Sequence, residues 1–138
     1  TGGVTAGAFP KASAVYYFLQ GCMWRKVACK ATAGLHHAMA GRYPLTYEHG
    51  CGWSSMYGFL NVSVAAGLVY IGAPKEDVVA VLTEQSADAF AIETNALSWR
   101  GYRLSIRDIE TMRRRLFVSF GSCSVQEPID DLVRMRLA

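Results

Sequence analysis

The feature that most constrains the fold is an almost wholly apolar stretch from Met56 to Ala73. It contains Asn61, Ser63 and three glycines, and it lacks the roughly 20 dominantly apolar residues that a membrane span requires. A helix that is apolar on every face must be covered by other elements. The stretch therefore predicts a buried helix over Met56–Ile71, with Asn61 as a buried hydrogen-bond anchor, and no membrane partner.

The composition is that of one folded domain built around such a helix. Of 138 residues, 51% are hydrophobic and 18% are charged, which is enough for a core and argues against disorder. The formal net charge of +3, with 11 acidic residues interspersed, is too mild to indicate a nucleic-acid partner. We interpret the run Arg113–Arg115 as a solvated helix face. The four cysteines show no C-x-x-C spacing, which favours a reducing cytoplasmic location.

The first residues are typical of a turn that leaves a strand. Thr1-Gly2-Gly3 is not preceded by the charged and apolar regions of a signal peptide. We interpret the chain as the C-terminal portion of a longer protein, so that its missing N-terminal half is an expected partner. The oligomeric state is left open.

Hydrophobic spacing and helix-start signals give the order of the elements. Helices are predicted over Pro10–Trp24, Met56–Ile71, Pro74–Leu82, Ser105–Leu116 and Pro128–Met135. Ser105 and, three residues later, Asp108 resemble a capping box at the start of the fourth of these helices. Strands are predicted over Val27–Thr32, Ala91–Glu93, Leu97–Leu104 and Phe117–Phe120, with Ala38–Ser55 irregular. This order of helices and strands indicates an α/β protein, either the C-terminal portion of a (β/α)8 (TIM)-type barrel or part of a doubly wound sheet. We predict the barrel, as a single domain over 1–138 with a helical and hairpin insertion at about 38–104 between core strands.

Lys30 and the pair His36-His37 are the strongest candidates for chemistry. Lys30 falls near the end of a strand predicted to be buried, and burial makes a lysine amine a usable base or Schiff-base nucleophile. An ion pair with Glu48 is the structural alternative. Either histidine could carry a proton. A metal site adding Glu48 and His49 to His36 has no recognised spacing, so we predict neither metal nor cofactor.

A glycine-serine loop before the last helix is a candidate anion site. In Gly121-Ser122-Cys123-Ser124, backbone N–H groups and the helix dipole could hold phosphate or carboxylate, although a plain helix-capping loop is an equal alternative. Gly2, Gly3 and Thr32 are candidates for the same binding role, and Cys123 could be a nucleophile only beside a base.

Most of the chain resembles the C-terminal half of an uncharacterised bacterial protein family of about twice this length. The resemblance departs around Tyr16–Trp24 and His49–Trp53. The matching stretches are Thr1–Val4, Lys30–His37, Tyr43–Glu48, Gly58–Asn61 and Ser119–Ser124 with Glu127-Pro128. This family has no established activity, so the resemblance supports a longer parent chain and implies no reaction.

A similarity over two shorter segments implies more specific chemistry. Lys30-Ala31-Thr32-Ala33-Gly34 is similar to the segment on the seventh strand of deoxyribose-phosphate aldolase-like barrels, whose lysine tunes a Schiff-base lysine on the preceding strand. Gly121–Ser124 is similar to the phosphate loop on their eighth strand, and Thr1–Gly3 would follow the sixth. The histidine pair is not part of that pattern.

Together these features predict an enzyme acting on a small carbonyl-containing or phosphorylated metabolite, possibly aldolase- or lyase-like. Lys30 would be the amine or its electrostatic tuner, and His36 or His37 the proton carrier. A non-catalytic ligand-binding or scaffold domain is the first alternative, and a metal-dependent hydrolase is the second.

Overall fold

A computed structural model describes residues 2–3, 5–122 and 124–135 of the chain. The helices are α1 (Ala12–Arg25), α2 (Phe59–Tyr70), α3 (Lys75–Leu82), α4 (Ile106–Arg115) and α5 (Gln126–Arg134), with short 3-10 turns at Ala6–Ala8 and Ala87–Ala89. The strands are β1 (Cys29–Ala31), β2 (Gly41–Pro44), β3 (Trp53–Met56), β4 (Phe90–Glu93), β5 (Ala96–Trp99), β6 (Tyr102–Ser105) and β7 (Phe117–Phe120).

Helix α2 forms the centre of the core, as its apolar sequence predicts. It packs against α1, α3 and α4 and against strands β6 and β7. Ten of its twelve residues are buried, including Asn61. Gly67 lets β6 approach closely, since a Cβ at this position would overlap the side chain of Leu104. Within the described ranges, every helix falls short of the length and apolar character that crossing a membrane demands.

Asn61 is the hydrogen-bond anchor that the sequence predicts. Its side chain is fully buried, and its Oδ1 accepts a hydrogen bond of 2.7 Å from the backbone N–H of Ala40. Its Nδ2 donates to the carbonyl oxygens of Val81 at 2.7 Å and Glu84 at 2.8 Å. One amide therefore joins α2 to the end of α3 and to the chain entering β2.

The (β/α)8 barrel prediction is wrong, and so is the doubly wound alternative. The seven described strands form three separate small sheets: a parallel pair of β1 and β7, an antiparallel pair of β2 and β3, and an antiparallel meander of β4, β5 and β6. Both predicted folds need one continuous, mostly parallel sheet. Only β1 and β7 pair in parallel, because the other strands are joined to their neighbours by turns or short loops that favour antiparallel pairing.

The segment 38–104 lies in sequence between the paired strands β1 and β7, yet it supplies α2 and therefore the middle of the core. Its first part, Ala38–Ser55, contains strand β2 and most of β3 rather than irregular chain. The sequences of these strands, GRYP and WSSM, are short and do not alternate apolar with polar residues, so no pattern marks them as strands. The capping box at the start of α4 is confirmed, with Ser105 and Asp108 exchanging hydrogen bonds in both directions.

Candidate functional site

A cavity of about 290 Å³ lies where the loop after β1, the end of β2 and the start of α5 meet. We call it the histidine cavity. Its wall includes both members of the histidine pair, together with Gly3, Tyr47 and Glu127. Candidate residues from two separate parts of the sequence, Gly3 and the histidine pair, therefore lie around one space.

A left-handed turn after β1 presents the histidine pair to this space. Ala33 and Gly34 both have a φ of 73°. Gly34 also packs against the N-terminal segment, because a Cβ there would lie 2.9 Å from the Cα of Gly2. The positive φ and this close approach together require glycine at position 34.

His37 is held by a carboxylate and by an aromatic ring. Its Nδ1 lies 3.1 Å from Oδ2 of Asp131 on α5, and its ring stacks on Tyr43 with centroids 3.5 Å apart. Because a carboxylate can only accept a hydrogen bond, this contact places the ring proton on Nδ1. The other nitrogen, Nε2, has no hydrogen-bond partner among the described residues, which leaves it able to accept a proton.

Tyr43 supports His37 as a neutral phenol. Burial, followed by the negative charge of Asp131, raises the pKa of Tyr43 above its ordinary value. Its hydroxyl donates to the carbonyl oxygen of Met39 at 3.1 Å. The ring that covers His37 is therefore fixed in place by its own hydrogen bond.

His36 does not form a serine-protease-like triad. Its Nδ1 lies 3.4 Å from Oγ of Ser122 and 3.8 Å from Oε2 of Glu127. In a catalytic triad the serine and the acid contact opposite nitrogens of the imidazole, so that a proton taken on one side is stabilised from the other. Here both groups face the same nitrogen, and the relay is not available.

Glu127 gives the histidine cavity an acceptor. Its Oε1 accepts a hydrogen bond of 2.8 Å from the hydroxyl of Tyr47. Its Oε2 is a buried atom with no hydrogen-bond partner among the described residues, and it lies 3.8 Å from Nδ1 of His36. No described lysine or arginine lines the cavity. The site is therefore suited to a ligand that donates a hydrogen bond and carries no strong negative charge.

Lys30 lies apart from the histidines. It is exposed, although its strand was predicted to be buried on both faces, because a two-stranded parallel sheet leaves one face open. Lys30 and Thr32 line a second cavity of about 320 Å³, which is mostly apolar and includes Phe18 and Phe117. No ion pair joins Lys30 to Glu48. The structure does not bring the predicted amine and the predicted proton carriers into one cavity.

The glycine-serine loop mainly supports α5 and His36. Ser124 Oγ accepts a hydrogen bond of 3.2 Å from the N–H of Glu127, and the N–H of Gly121 donates to Ala31 at 2.9 Å. The N–H of Ser124 is directed to Ser122 Oγ at 3.4 Å. Three of the N–H groups of this region are thus already engaged within the protein. Cys123 and Thr1 lie outside the described residues.

The two acidic residues that contact the histidine pair, Glu127 and Asp131, were not predicted from the sequence. Glu127 and Asp131 are four residues apart in the closing helix, which places them on one helix face. That spacing was the available signal, but nothing in the sequence indicated that this face would meet residues 36 and 37.

In the part of the chain that the structure describes, no group of three or more His, Cys, Asp or Glu side chains could hold a metal ion. Burial, together with the neighbouring Cys22, raises the pKa of the Cys29 thiol to about 12, so this cysteine is a poor nucleophile.

Comparison of the chain with protein-family models, with curated proteins and with solved structures gave no match. The family resemblances predicted from the sequence therefore stay predictions.

Proposed function

We propose that the histidine cavity is the active site of an enzyme that moves a proton on a small carbonyl-bearing metabolite, with His37 as the general base. The observation that carries the proposal is the 3.1 Å contact between His37 Nδ1 and Asp131 Oδ2. A carboxylate on one imidazole nitrogen fixes the tautomer and stabilises the imidazolium that forms when the other nitrogen accepts a proton.

The proposed reaction uses three groups of the cavity. His37 Nε2 takes the proton from a carbon next to the carbonyl group, and the C–H electron pair moves to give an enolate. His36, whose Nε2 has no partner among the described residues, donates a hydrogen bond to the carbonyl oxygen. The hydroxyl proton on the adjacent carbon then passes to the former carbonyl oxygen, and His37 Nε2 returns its proton to the former carbonyl carbon, which gives the isomeric hydroxycarbonyl compound.

The charge of the cavity supports a neutral substrate. Glu127 lines the cavity with a partly exposed side chain, and no described lysine or arginine lines it. A hydroxyl group of the substrate would donate to the Glu127 carboxylate, whereas a phosphate would be repelled by it. We therefore propose hydroxyaldehydes or hydroxyketones of a few carbons and assign no role to Lys30.

The test is hydrogen–deuterium exchange at carbon in D₂O, followed by proton NMR with glycolaldehyde, glyceraldehyde and dihydroxyacetone. We expect the wild-type protein to accelerate exchange in at least one compound, and His37→Gln to reduce that rate by about 100-fold or more, the usual contribution of a general base. His49→Gln is the matched control, since His49 is exposed and lies outside the histidine cavity. It should leave the rate unchanged.

Equal exchange in the wild-type and His37→Gln proteins would contradict the proposal. A specific observation also favours a non-catalytic binding domain as the second candidate. Asp131 Oδ2 accepts a hydrogen bond of 3.1 Å from the N–H of Ala38, so the carboxylate also ties α5 to the loop. Saturable binding of a hydroxycarbonyl compound without any exchange would favour that candidate.

A further inference from the structure

Three basic side chains from different elements line one large groove elsewhere on the protein. The groove has a volume of about 760 Å³ and lies between the C-terminal ends of α1, α2 and α4. Lys26 follows α1, while Arg114 and Arg115 belong to the last turn of α4. We call this space the basic groove. It shares no lining residue with the histidine cavity.

The three cations of the basic groove have no carboxylate partners among the described residues. Arg100 and Arg103, by contrast, pair with Glu84 and Glu93 at 2.7 Å and 3.0 Å. The one acidic residue of the groove, Asp108, is already bonded to Ser105 in the capping box of α4. The groove therefore carries three cationic side chains against one carboxylate, and none of the three is ion-paired among the described residues.

Helix C-termini favour basic residues in general, because the helix dipole is negative there. That effect does not require the cations of two helices to share one groove. Arg113 shows the difference, since it belongs to the same arginine run but lines a separate cavity beside β7. The fold brings Lys26 into the same groove as Arg114 and Arg115, although it lies far from them in the sequence.

The lining of the basic groove also includes apolar side chains and an aromatic ring. Met23 and Tyr70 are half-buried there, and Ile71 is 42% exposed. Arginine side chains bind phosphate through planar forks of N–H donors, and a tyrosine ring offers a face on which a planar ring can stack. The volume lies within the range of small-molecule sites.

We propose that the basic groove binds an organic phosphate with a planar ring, of the nucleoside diphosphate class. The phosphates contact Lys26, Arg114 and Arg115, and the ring lies over Tyr70 and Met23. Because the groove is separate from the histidine cavity, this ligand is distinct from the neutral substrate proposed there. The inference stands whether or not that substrate is correct.

Titration of the full chain with ADP, inorganic pyrophosphate and adenosine, followed by NMR or calorimetry, tests the inference. We expect saturable binding of ADP at about millimolar concentration or below, weaker binding of pyrophosphate and none of adenosine. Arg114→Gln and Arg115→Gln should each weaken ADP binding about tenfold, the effect of losing one charge-assisted contact. Tyr70→Leu should weaken binding of ADP but not of pyrophosphate.

Arg113→Gln is the matched control, because it removes the same charge from the same run but not from the groove. It should change the dissociation constant for ADP less than about twofold, since exposed charges at a distance are screened by salt. An equal loss in Arg113→Gln and Arg115→Gln, adenosine binding as tight as that of ADP, pyrophosphate binding as tight as that of ADP, or no saturable ADP binding would each overturn the inference.

Discussion

Gly58→Ala is expected to lower the free energy of unfolding by about 3 kcal/mol, at the upper end of the usual cost of overpacking. Gly58 precedes α2 with a φ of −88°, a value that alanine adopts without strain. The cost is therefore steric. An added Cβ would overlap the carbonyl oxygen of Ala38 and the backbone of Met39. Backbone atoms cannot rotate away as a side chain can, so either α2 or the segment after the histidine pair must move.

Urea denaturation followed by circular dichroism measures this loss. Gly101→Ala is the matched control, because no atom lies within 4 Å of a Cβ built at Gly101 and its φ is not in the left-handed region. We expect the midpoint of Gly101→Ala to stay close to that of the wild-type protein. Similar midpoints for the two variants would show that α2 and residues 38–39 do not pack as closely as described.

Asn61→Leu is expected to cost about 3 kcal/mol, because it keeps the side-chain volume and removes three hydrogen bonds, two of them buried and one partly buried. The N–H of Ala40 and the carbonyl of Glu84 would lose their side-chain partner in the interior. Each buried polar group left unsatisfied typically costs about 1–3 kcal/mol. Leucine offers apolar contacts in return, but it cannot satisfy either group, so the junction of α2, α3 and β2 should loosen.

The same denaturation experiment, with Ser63→Ala as the control, isolates this effect. Ser63 lies on the same helix and its Oγ donates only to the carbonyl of Phe59, one turn earlier, at 2.7 Å. We expect a loss below about 1 kcal/mol for the control, the net value of one ordinary hydrogen bond. A comparably small loss for Asn61→Leu would contradict the role of Asn61 as the anchor of the core.

The parts of the fold that could be predicted from the sequence are those set by nearby residues. The all-apolar pattern of α2 and the exchange between Ser105 and Asp108 act within a few residues, and both are present. The barrel prediction is wrong because the order of helices and strands along the chain does not determine which strands pair in a sheet. Strands β1 and β7 are parallel neighbours, as in a barrel, but the other strands pair antiparallel with strands close in sequence.

Only part of the site could be predicted from the sequence, because the site joins residues that lie far apart along the chain. The pair His36-His37 stands out as a motif, but Asp131, which contacts His37, lies 94 residues further along the chain. Such a contact depends on how α5 packs, and no local pattern predicts it. Lys30 illustrates the opposite error, since its motif is conspicuous but its side chain is exposed beside a different, apolar cavity.

The central claim is that Asp131 holds His37 with its proton on Nδ1 and leaves Nε2 free to act as a base. Long-range ¹H–¹⁵N correlation NMR of the imidazole nitrogens, above the pH at which the ring is charged, tests this directly. We expect a protonated, pyrrole-like Nδ1 and an unprotonated, pyridine-like Nε2 for His37, with this preference lost in Asp131→Leu. A His37 ring that carries its proton on Nε2 in the wild-type protein would contradict it.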